Sequence, residues 1–169
     1  MRSKLSVDES MVPYYGRHSA KMFIQGMPLR FGYKIWAPCG SDGYPYKLKL
    51  YRGKEPGQTK LHLGTRVVND MMSTTESCLA VTKNEVYFDN FFTLYDLLKS
   101  RAEQNIKATG TVRDNRTAGA AKLMKPNAVM KKNTRGEFDF RCDGRAFVCK
   151  WKDNSIVTIA SNTRSLAPS

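Results

Sequence analysis

The hydrophobic pattern of the chain changes its period in a fixed order, and that order limits the fold. Alternating apolar and polar residues, typical of strands, occupy Lys4–Met11, Phe31–Cys39 and Tyr44–Tyr51. A helical period follows over Leu63–Ser73, where apolar residues recur three and four positions apart. We therefore expect three antiparallel strands in a meander, followed by a helix.

A short apolar run then predicts a strand that ends at a carboxylate. Residues 86–88 are Val-Tyr-Phe and precede Asp89, and a continuous run of this kind favours a strand covered on both faces. The sequence Thr-Leu-Tyr-Asp at 93–96 matches a capping box and predicts the start of a helix. Another strand is predicted over 106–113. Helix and strand alternating after an antiparallel meander predict an α/β fold with a mixed sheet.

The C-terminal third changes character. Residues 117–135 are basic, contain no acidic residue and show little periodicity. An Asp-Gly pair at 143–144 signals a two-residue hairpin loop, which would place Phe140 opposite Phe147. A second turn at 153–154 leads to another apolar run. This part predicts a three-stranded antiparallel unit.

The charge of the chain is uneven. Residues 1–60 hold eleven basic and four acidic side chains, residues 111–169 hold twelve and five, and residues 61–110 hold five and six. Basic surfaces attract polyanions through phosphate neutralisation, so nucleic acid is the favoured partner. A solvated basic face that serves solubility is the alternative.

The cysteines and the apolar stretches exclude other classes. The spacing of Cys39, Cys78, Cys142 and Cys149 fits neither paired zinc knuckles nor a Cys/His finger, so we expect reduced thiols. No apolar stretch has the length of a transmembrane helix, and the N-terminus does not resemble a signal peptide. A membrane partner is not expected.

Two aspartates are the candidate catalytic residues. Asp8 lies on the polar face of the first predicted strand, and Asp89 follows the fourth. If those strands are parallel neighbours, both carboxylates converge at one edge of the sheet. Two close carboxylates at neutral pH need a proton, a basic partner or a divalent cation, and Mg²⁺ is the natural answer. Two such ions can drive phosphodiester cleavage. Alternatively, Asp8 is an ordinary exposed strand residue and Asp89 serves the helix entry; periodicity leaves both interpretations open.

Five segments in order resemble the piggyBac transposases, above all the piggyBac transposable element-derived proteins. They are Leu-Ser-Val-Asp-Glu-Ser-Met at 5–11, Gly-Arg-His at 16–18, Phe-Gly-Tyr-Lys-Ile-Trp at 31–36, Phe-Asp-Asn-Phe-Phe-Thr at 88–93 and Thr-Gly-Thr-Val-Arg-Asp-Asn-Arg at 109–116. Each motif is short, but their order and spacing are specific. The resemblance runs through nearly the whole chain.

The resemblance implies an RNase H-like mixed sheet flanked by helices, with a β-rich insertion toward the C-terminal end. Residues 1–116 would form part of the catalytic core, residues 117–162 a basic linker and the insertion, and residues 163–169 a tail. Asp8 and Asp89 would be the first and second catalytic aspartates and ligands of Mg²⁺. The implied partner is DNA, at TTAA targets or transposon ends, in the nucleus, and a homodimer is compatible with this reading.

The resemblance also bears on DNA contacts. The stretch containing Arg113, Asn115 and Arg116 would contact phosphates, with Lys131 and Lys132 as further candidates; an ordinary charged turn is the alternative.

The resemblance finally implies that the set of catalytic aspartates is incomplete in this chain. The third aspartate of the family is expected beyond Ser169, and neither Asp143 nor Asp153, each in a predicted turn, can replace it. We therefore expect a partial catalytic domain that is inactive alone. A non-catalytic basic module that binds nucleic acid, or a remnant without a retained role, are the alternatives.

Overall fold

The computed structural model of the chain describes residues 3–26, 28–53, 61–79 and 84–163. The chain divides into two compact units, Leu5–Thr82 and Lys83–Ser169, the latter together with Met1–Lys4. Among the helices inside the described ranges, none combines the length and the apolar character needed to cross a bilayer.

Where the structure describes it, the first unit is a small antiparallel sheet with one helix. Its elements are β1 (Ser3–Pro13), β2 (Met22–Phe23), β3 (Phe31–Gly40), β4 (Lys49–Leu50) and α1 (Leu63–Leu79).

The first two predicted strands and the helix are confirmed. β1 and β3 pair in antiparallel register, with Leu5 opposite Gly40. Leu5 and Val7 are buried and alternate with exposed neighbours, as the period-two pattern predicts. In α1 the apolar stripe is also buried, with Val67, Val68, Met71 and Met72 all at 2% exposure or less.

The predicted strand over Tyr44–Tyr51 is wrong for most of its length. Within this segment only β4 forms a ladder with β3, while Pro45 makes a single isolated bridge to Cys39. Proline has no N–H to donate to a ladder, so pairing is interrupted there. Leu48 is 65% exposed, and the ammonium groups of Lys47 and Lys49 reach the carboxylate of Asp70 in α1 at 3.2 and 2.9 Å.

In residues 84–163, the described part of the second unit, there are five strands, two helices and two short 3₁₀ turns. The regular elements are β5 (Asn84–Phe88), α2 (Tyr95–Glu103), β6 (Lys107–Thr111), α3 (Asn127–Met130), β7 (Phe138–Cys142), β8 (Phe147–Lys152) and β9 (Ile156–Ser161). The 3₁₀ turns are Asp114–Arg116 and Ala120–Leu123.

The sheet of this unit is mixed. β5 and β6 are parallel, and α2 connects them; β6, β9, β8 and β7 follow as antiparallel neighbours in that order. The predicted α/β class and the predicted three-stranded C-terminal region are therefore confirmed.

Two local predictions around β5 are wrong. Val86 and Phe88 are buried, but Tyr87 is 40% exposed, so β5 alternates and is not covered on both faces. The predicted capping box at 93–96 does not form, because the hydroxyl of Thr93 donates to the carbonyl of Asp89 at 3.0 Å. The helix α2 begins at Tyr95 without a side-chain cap.

The predicted two-residue hairpin at 143–144 is wrong as well. Phe140 lies opposite Cys149 and Cys142 opposite Phe147, so the loop has four residues, 143–146. The Asp143 carboxylate accepts hydrogen bonds at 3.0 Å from the backbone N–H groups of Arg145 and Ala146, which stabilises the longer loop.

The thiols agree with expectation where the structure describes them. Cys142 and Cys149 lie on different rungs, and both are free, as is Cys39. Burial, and then nearby carboxylates, raise the pKa of the Cys39 and Cys149 thiols. The side chain of Cys78 lies outside the described residues, and the domain boundaries at 116 and 162 stay predictions.

Candidate functional site

Asp8 lies in the middle of β1, opposite Ala37 of β3. Its side chain is exposed, on the polar face that the sequence pattern predicts, while Val7 beside it is completely buried. One carboxylate oxygen accepts a hydrogen bond from the backbone N–H of Glu9 at 2.7 Å. The paired strand therefore fixes the backbone of Asp8 and presents its carboxylate to solvent.

Asp89 follows β5 directly and starts a tight turn. Its carbonyl accepts hydrogen bonds from the N–H groups of Phe92 and Thr93, at 3.0 and 3.2 Å, and from the Thr93 hydroxyl. Phe92 and Thr93 are fully buried and anchor the turn. The exposed carboxylate accepts a hydrogen bond from the hydroxyl of Thr111 in β6 at 3.3 Å. The buried residues Phe92 and Thr93 therefore fix the Asp89 backbone, and the Thr111 hydroxyl binds its carboxylate.

Two arginines after β6 contact the turn that Asp89 begins. The guanidinium of Arg116 donates to the carbonyls of Asn90 and Phe91 at 3.0 and 2.8 Å. The guanidinium of Arg113 donates to the side-chain oxygen of Asn90 at 3.3 Å. Burial, and then the charge of Arg113, lower the pKa of Arg116. Arg116 is thus half-buried and bound to backbone, whereas Arg113 is exposed.

Asp89 and Arg113 meet at one surface cleft. Its volume is about 430 Å³, and its lining includes Asp89, Asn90, Thr111, Arg113 and Asp114. A carboxylate that can bind a cation and a guanidinium that can bind a phosphate therefore lie at the same opening. This combination suits a phosphodiester substrate.

An ion pair between a buried lysine and a partly exposed aspartate lies beside the cleft. The carboxylate of Asp114 binds the ammonium of Lys150 at 3.0 Å and the hydroxyl of Thr158 at 2.9 Å. The Lys150 ammonium also donates to the side-chain oxygen of Asn127 at 3.1 Å. Burial alone would raise the pKa of Asp114, but the hydrogen bonds from Lys150 and Thr158 outweigh it and lower that pKa.

The predicted site residues fall into separate groups. The second unit brings Asp89 together with Arg113 and Arg116, and Asn115 lies exposed between the two arginines. Lys131 and Lys132 are exposed at the end of α3. Asp8 belongs to the first unit, and its convergence with Asp89 stays a prediction.

The sequence interpretation missed two residues that line the cleft, Asn90 and Thr111, and Lys150, which binds the cleft residue Asp114. Asn90 and Thr111 lie inside the motifs at 88–93 and 109–116, so their position next to Asp89 and Arg113 could have been inferred. Lys150 carries no local signal, because a lysine in a strand ordinarily points to solvent.

The donor chemistry at both aspartates fits a hard divalent cation. Asp8 and Asp89 are exposed carboxylates, and carboxylate oxygen is the ligand that Mg²⁺ prefers. Within the described ranges, no three His, Cys, Asp or Glu side chains form a group that could hold a metal ion.

A family model and two human proteins match nearly the whole chain. The family model described as Transposase IS4 matches residues 1–168. The human PiggyBac transposable element-derived protein 3 is 37% identical over 166 residues, which cover 96% of this chain and 28% of that protein. The human PiggyBac transposable element-derived protein 2 is 33% identical over 168 residues, with the same coverage. The chain thus spans less than a third of the length of these relatives.

A solved structure resembles the fold. The piggyBac transposase in a synaptic complex with hairpin DNA, determined by cryo-EM, matches with a TM-score of 0.79 at 24% identity. The match covers 98% of this chain and 34% of that one. This likeness confirms the fold class that the order of elements and the motifs predict, an RNase H-like α/β domain.

Proposed function

This chain belongs to the piggyBac-type transposases of the family described as Transposase IS4, and from that premise we propose that it binds DNA as part of a transposase catalytic core. Asp8 and Asp89 would hold Mg²⁺. The proposed substrate is TTAA-containing DNA or a transposon end, and the proposed location is the nucleus, with a homodimer as a further element of the proposal.

The observation that carries this proposal is the placement of Asp89. Its carboxylate projects from a turn that buried Phe92 and Thr93 anchor, at the same cleft as exposed Arg113. A bound Mg²⁺ would supply charge neutralisation and activation of water at the scissile phosphate. Arg113 would bind a neighbouring phosphate oxygen, while Arg116 holds the turn through two backbone carbonyls.

We further propose that these residues do not complete strand transfer by themselves. Two-metal phosphodiester chemistry needs a clamp for both the attacking and the leaving oxygen. Two carboxylates supply few ligands for two hexacoordinate ions, so one weakly held ion is the expected state.

The metal site can be tested by titrating Mg²⁺ into the protein while a TTAA duplex is bound. We expect Mg²⁺ to strengthen binding, and Asp8→Asn and Asp89→Asn each to abolish that effect while the salt dependence remains. Asp96→Asn, an exposed carboxylate in the first turn of α2, is the matched control and should behave as wild type. If both site variants respond to Mg²⁺ as wild type does, the metal site is refuted.

The proposed inactivity has its own test. A nicking and strand-transfer assay on the same duplex should show no product with Mg²⁺. Robust cleavage that Asp8→Ala and Asp89→Ala abolish would overturn that part of the proposal.

A non-catalytic DNA-binding module is the second candidate, and the charge of residues 111–169 favours it, with twelve basic against five acidic side chains. In that case binding would fall steeply with salt but would not respond to Mg²⁺ or to alanine at Asp8 and Asp89.

A further inference from the structure

The two faces of the second unit's sheet are covered differently. On one face Val148, Lys150 and Ala160 are almost completely buried, at 1%, 3% and 1% exposure. The Lys150 ammonium donates to the carbonyl of Ala121 and to the side chain of Asn127, which lie in the segment after β6. That segment covers this face. Side chains alternate along a strand, so Cys149 and Trp151 of β8, and their β7 partners Phe140 and Phe138, point to the other face.

Within β7 and β8, three large aromatic side chains are exposed on that other face. Phe138, Phe140 and Trp151, here named the aromatic strip, are 55%, 40% and 45% exposed. Phe138 lies opposite Trp151 across the β7–β8 pair. The rings of Phe138 and Phe140 have centroids 6.4 Å apart and planes inclined by 28°. Phe138 and Phe140 therefore offer neighbouring, similarly oriented π-faces, and Trp151 lies across the strand pair from Phe138.

We propose that the aromatic strip is a binding site for single-stranded DNA, whose unpaired bases stack on these rings. Base–aromatic stacking is the common way in which sheet surfaces hold unpaired nucleotides. A duplex keeps its bases stacked on one another and presents only edges and phosphates, so it cannot use the strip. The proposed function contributes only the choice of DNA over RNA.

The charge of the segment that contains the strip, residues 111–163, supports a polyanionic partner. All five acidic side chains between residues 111 and 163 are bound internally, four of them to cations. The pairs are Asp114 with Lys150, Glu137 with Lys125, Asp139 with Arg141, Asp153 with Arg135, and Asp143 with the Tyr95 hydroxyl. Because the carboxylates of this region are neutralised, its surplus of basic side chains determines the field that a phosphate backbone meets.

Tryptophan fluorescence gives a direct readout. The chain has two tryptophans; Trp36 is 2% exposed and Trp151 is 45% exposed. A thymidine oligonucleotide of about twelve residues, the length that one such platform can hold, is added to the full chain. We expect saturable quenching of Trp151, absent in Trp151→Phe, and much weaker quenching by a duplex of equal length.

Substitutions in the strip separate stacking from charge. Phe140→Leu keeps an apolar side chain but removes the π-face, and it should weaken oligonucleotide binding roughly fivefold to a hundredfold. Phe140→Trp should retain binding, and Tyr15→Ala, an 85% exposed ring of the first unit, should not change it.

Three outcomes would overturn the proposal: unchanged Trp151 emission on addition of the oligonucleotide, equal quenching of Trp151 by duplex and single strand, or equal affinity of Phe140→Leu and wild type for the oligonucleotide. Tighter binding of a uridine than of a thymidine oligonucleotide would overturn the assignment to DNA. None of these readouts depends on Mg²⁺ or on Asp8 and Asp89, so a failure here is distinct from a failure of the proposed function.

Discussion

The ammonium of Lys150 lies 3.0 Å from a carboxylate oxygen of Asp114, and the two side chains differ sharply in exposure, 3% for the lysine and 40% for the aspartate. Lys150 belongs to β8, and Asp114 begins the first 3₁₀ turn after β6. The pair therefore joins the C-terminal antiparallel strands to the segment that also carries Arg113 and Arg116.

This difference in exposure predicts unequal costs for removing either partner. Asp114→Asn leaves a buried ammonium without its counter-charge and should lower the free energy of unfolding by about 2–4 kcal/mol. Lys150→Met leaves a carboxylate that water can reach and should cost only about 1 kcal/mol. Urea unfolding followed by circular dichroism measures both. The double variant should be more stable than Asp114→Asn alone; the reverse order of costs would contradict the assignment.

The same pair marks the limit of inference from sequence. The alternating pattern located β1 and β3, and the apolar stripe located α1, because those signals are local. Lys150 is buried because Asp114, thirty-six positions earlier, supplies its counter-charge. No local period carries that information. The exposure of Tyr87 is equally hidden in the sequence, since it depends on what covers each face of β5.

Side-chain competition for backbone groups explains the remaining errors. The Thr93 hydroxyl donates to the Asp89 carbonyl and is therefore not a helix cap. The Asp143 carboxylate binds two N–H groups and lengthens the hairpin loop. For the site, the motifs predicted Asp89 as a catalytic aspartate and Arg113 and Arg116 as phosphate contacts. Only the structure shows that Arg113 is exposed at the cleft, whereas Arg116 is half-buried and binds two backbone carbonyls.

The contact between Tyr95 and Asp143 predicts two pH-dependent losses of stability. The hydrogen bond from the Tyr95 hydroxyl lowers the pKa of Asp143 to about 2. Burial, and then the same contact, raise the pKa of Tyr95 to about 12. The contribution of Asp143 is complete above its unfolded pKa of about 4 and is lost as the pH falls through about 2. That of Tyr95 is complete below its unfolded pKa of about 10 and is lost as the pH rises through about 12.

Removing the phenol tests this linkage. In Tyr95→Phe the alkaline loss should disappear, and the acid loss should shrink because the pKa of Asp143 rises. It should not vanish, since the N–H groups of Arg145 and Ala146 still bind the carboxylate. Urea midpoints measured across the pH range give the profile, and Asp143→Asn should remove the acid loss at this site. Unchanged profiles in both variants would refute the contact.

The two arginines of the cleft should respond differently to alanine. Arg113→Ala removes an exposed charge and should reduce the salt slope of DNA binding by about one. Arg116→Ala removes the two hydrogen bonds that the guanidinium donates to the Asn90 and Phe91 carbonyls, so it should destabilise the turn by about 1–2 kcal/mol. Hydrogen exchange at the Phe92 and Thr93 amides should accelerate in Arg116→Ala only. A loss of one unit of salt slope in Arg116→Ala with unchanged exchange would instead make it a phosphate contact.

The close approach of β6 to the Asp89 turn makes Gly110 a sensitive position. Gly110 lies beside Phe88 in the parallel pair, and an added Cβ would lie 2.3 Å from the Thr93 hydroxyl and 2.7 Å from the Phe88 carbonyl oxygen. Gly110→Ala must therefore displace the group that binds the Asp89 carbonyl, at a cost of about 1–3 kcal/mol. Thermal unfolding measures the loss.

A matched change in the same strand should be nearly silent. Lys107→Ala removes only a loose, partly exposed ion pair, whose atoms are 3.7 Å apart, with Glu85, and should cost less than about 0.5 kcal/mol. Because the displaced hydroxyl is the one that fixes Asp89, Gly110→Ala should also weaken any Mg²⁺ response of DNA binding, whereas Lys107→Ala should not. Equal stability of the two variants would mean that Gly110 does not lie as close to Thr93 and Phe88 as the structure places it.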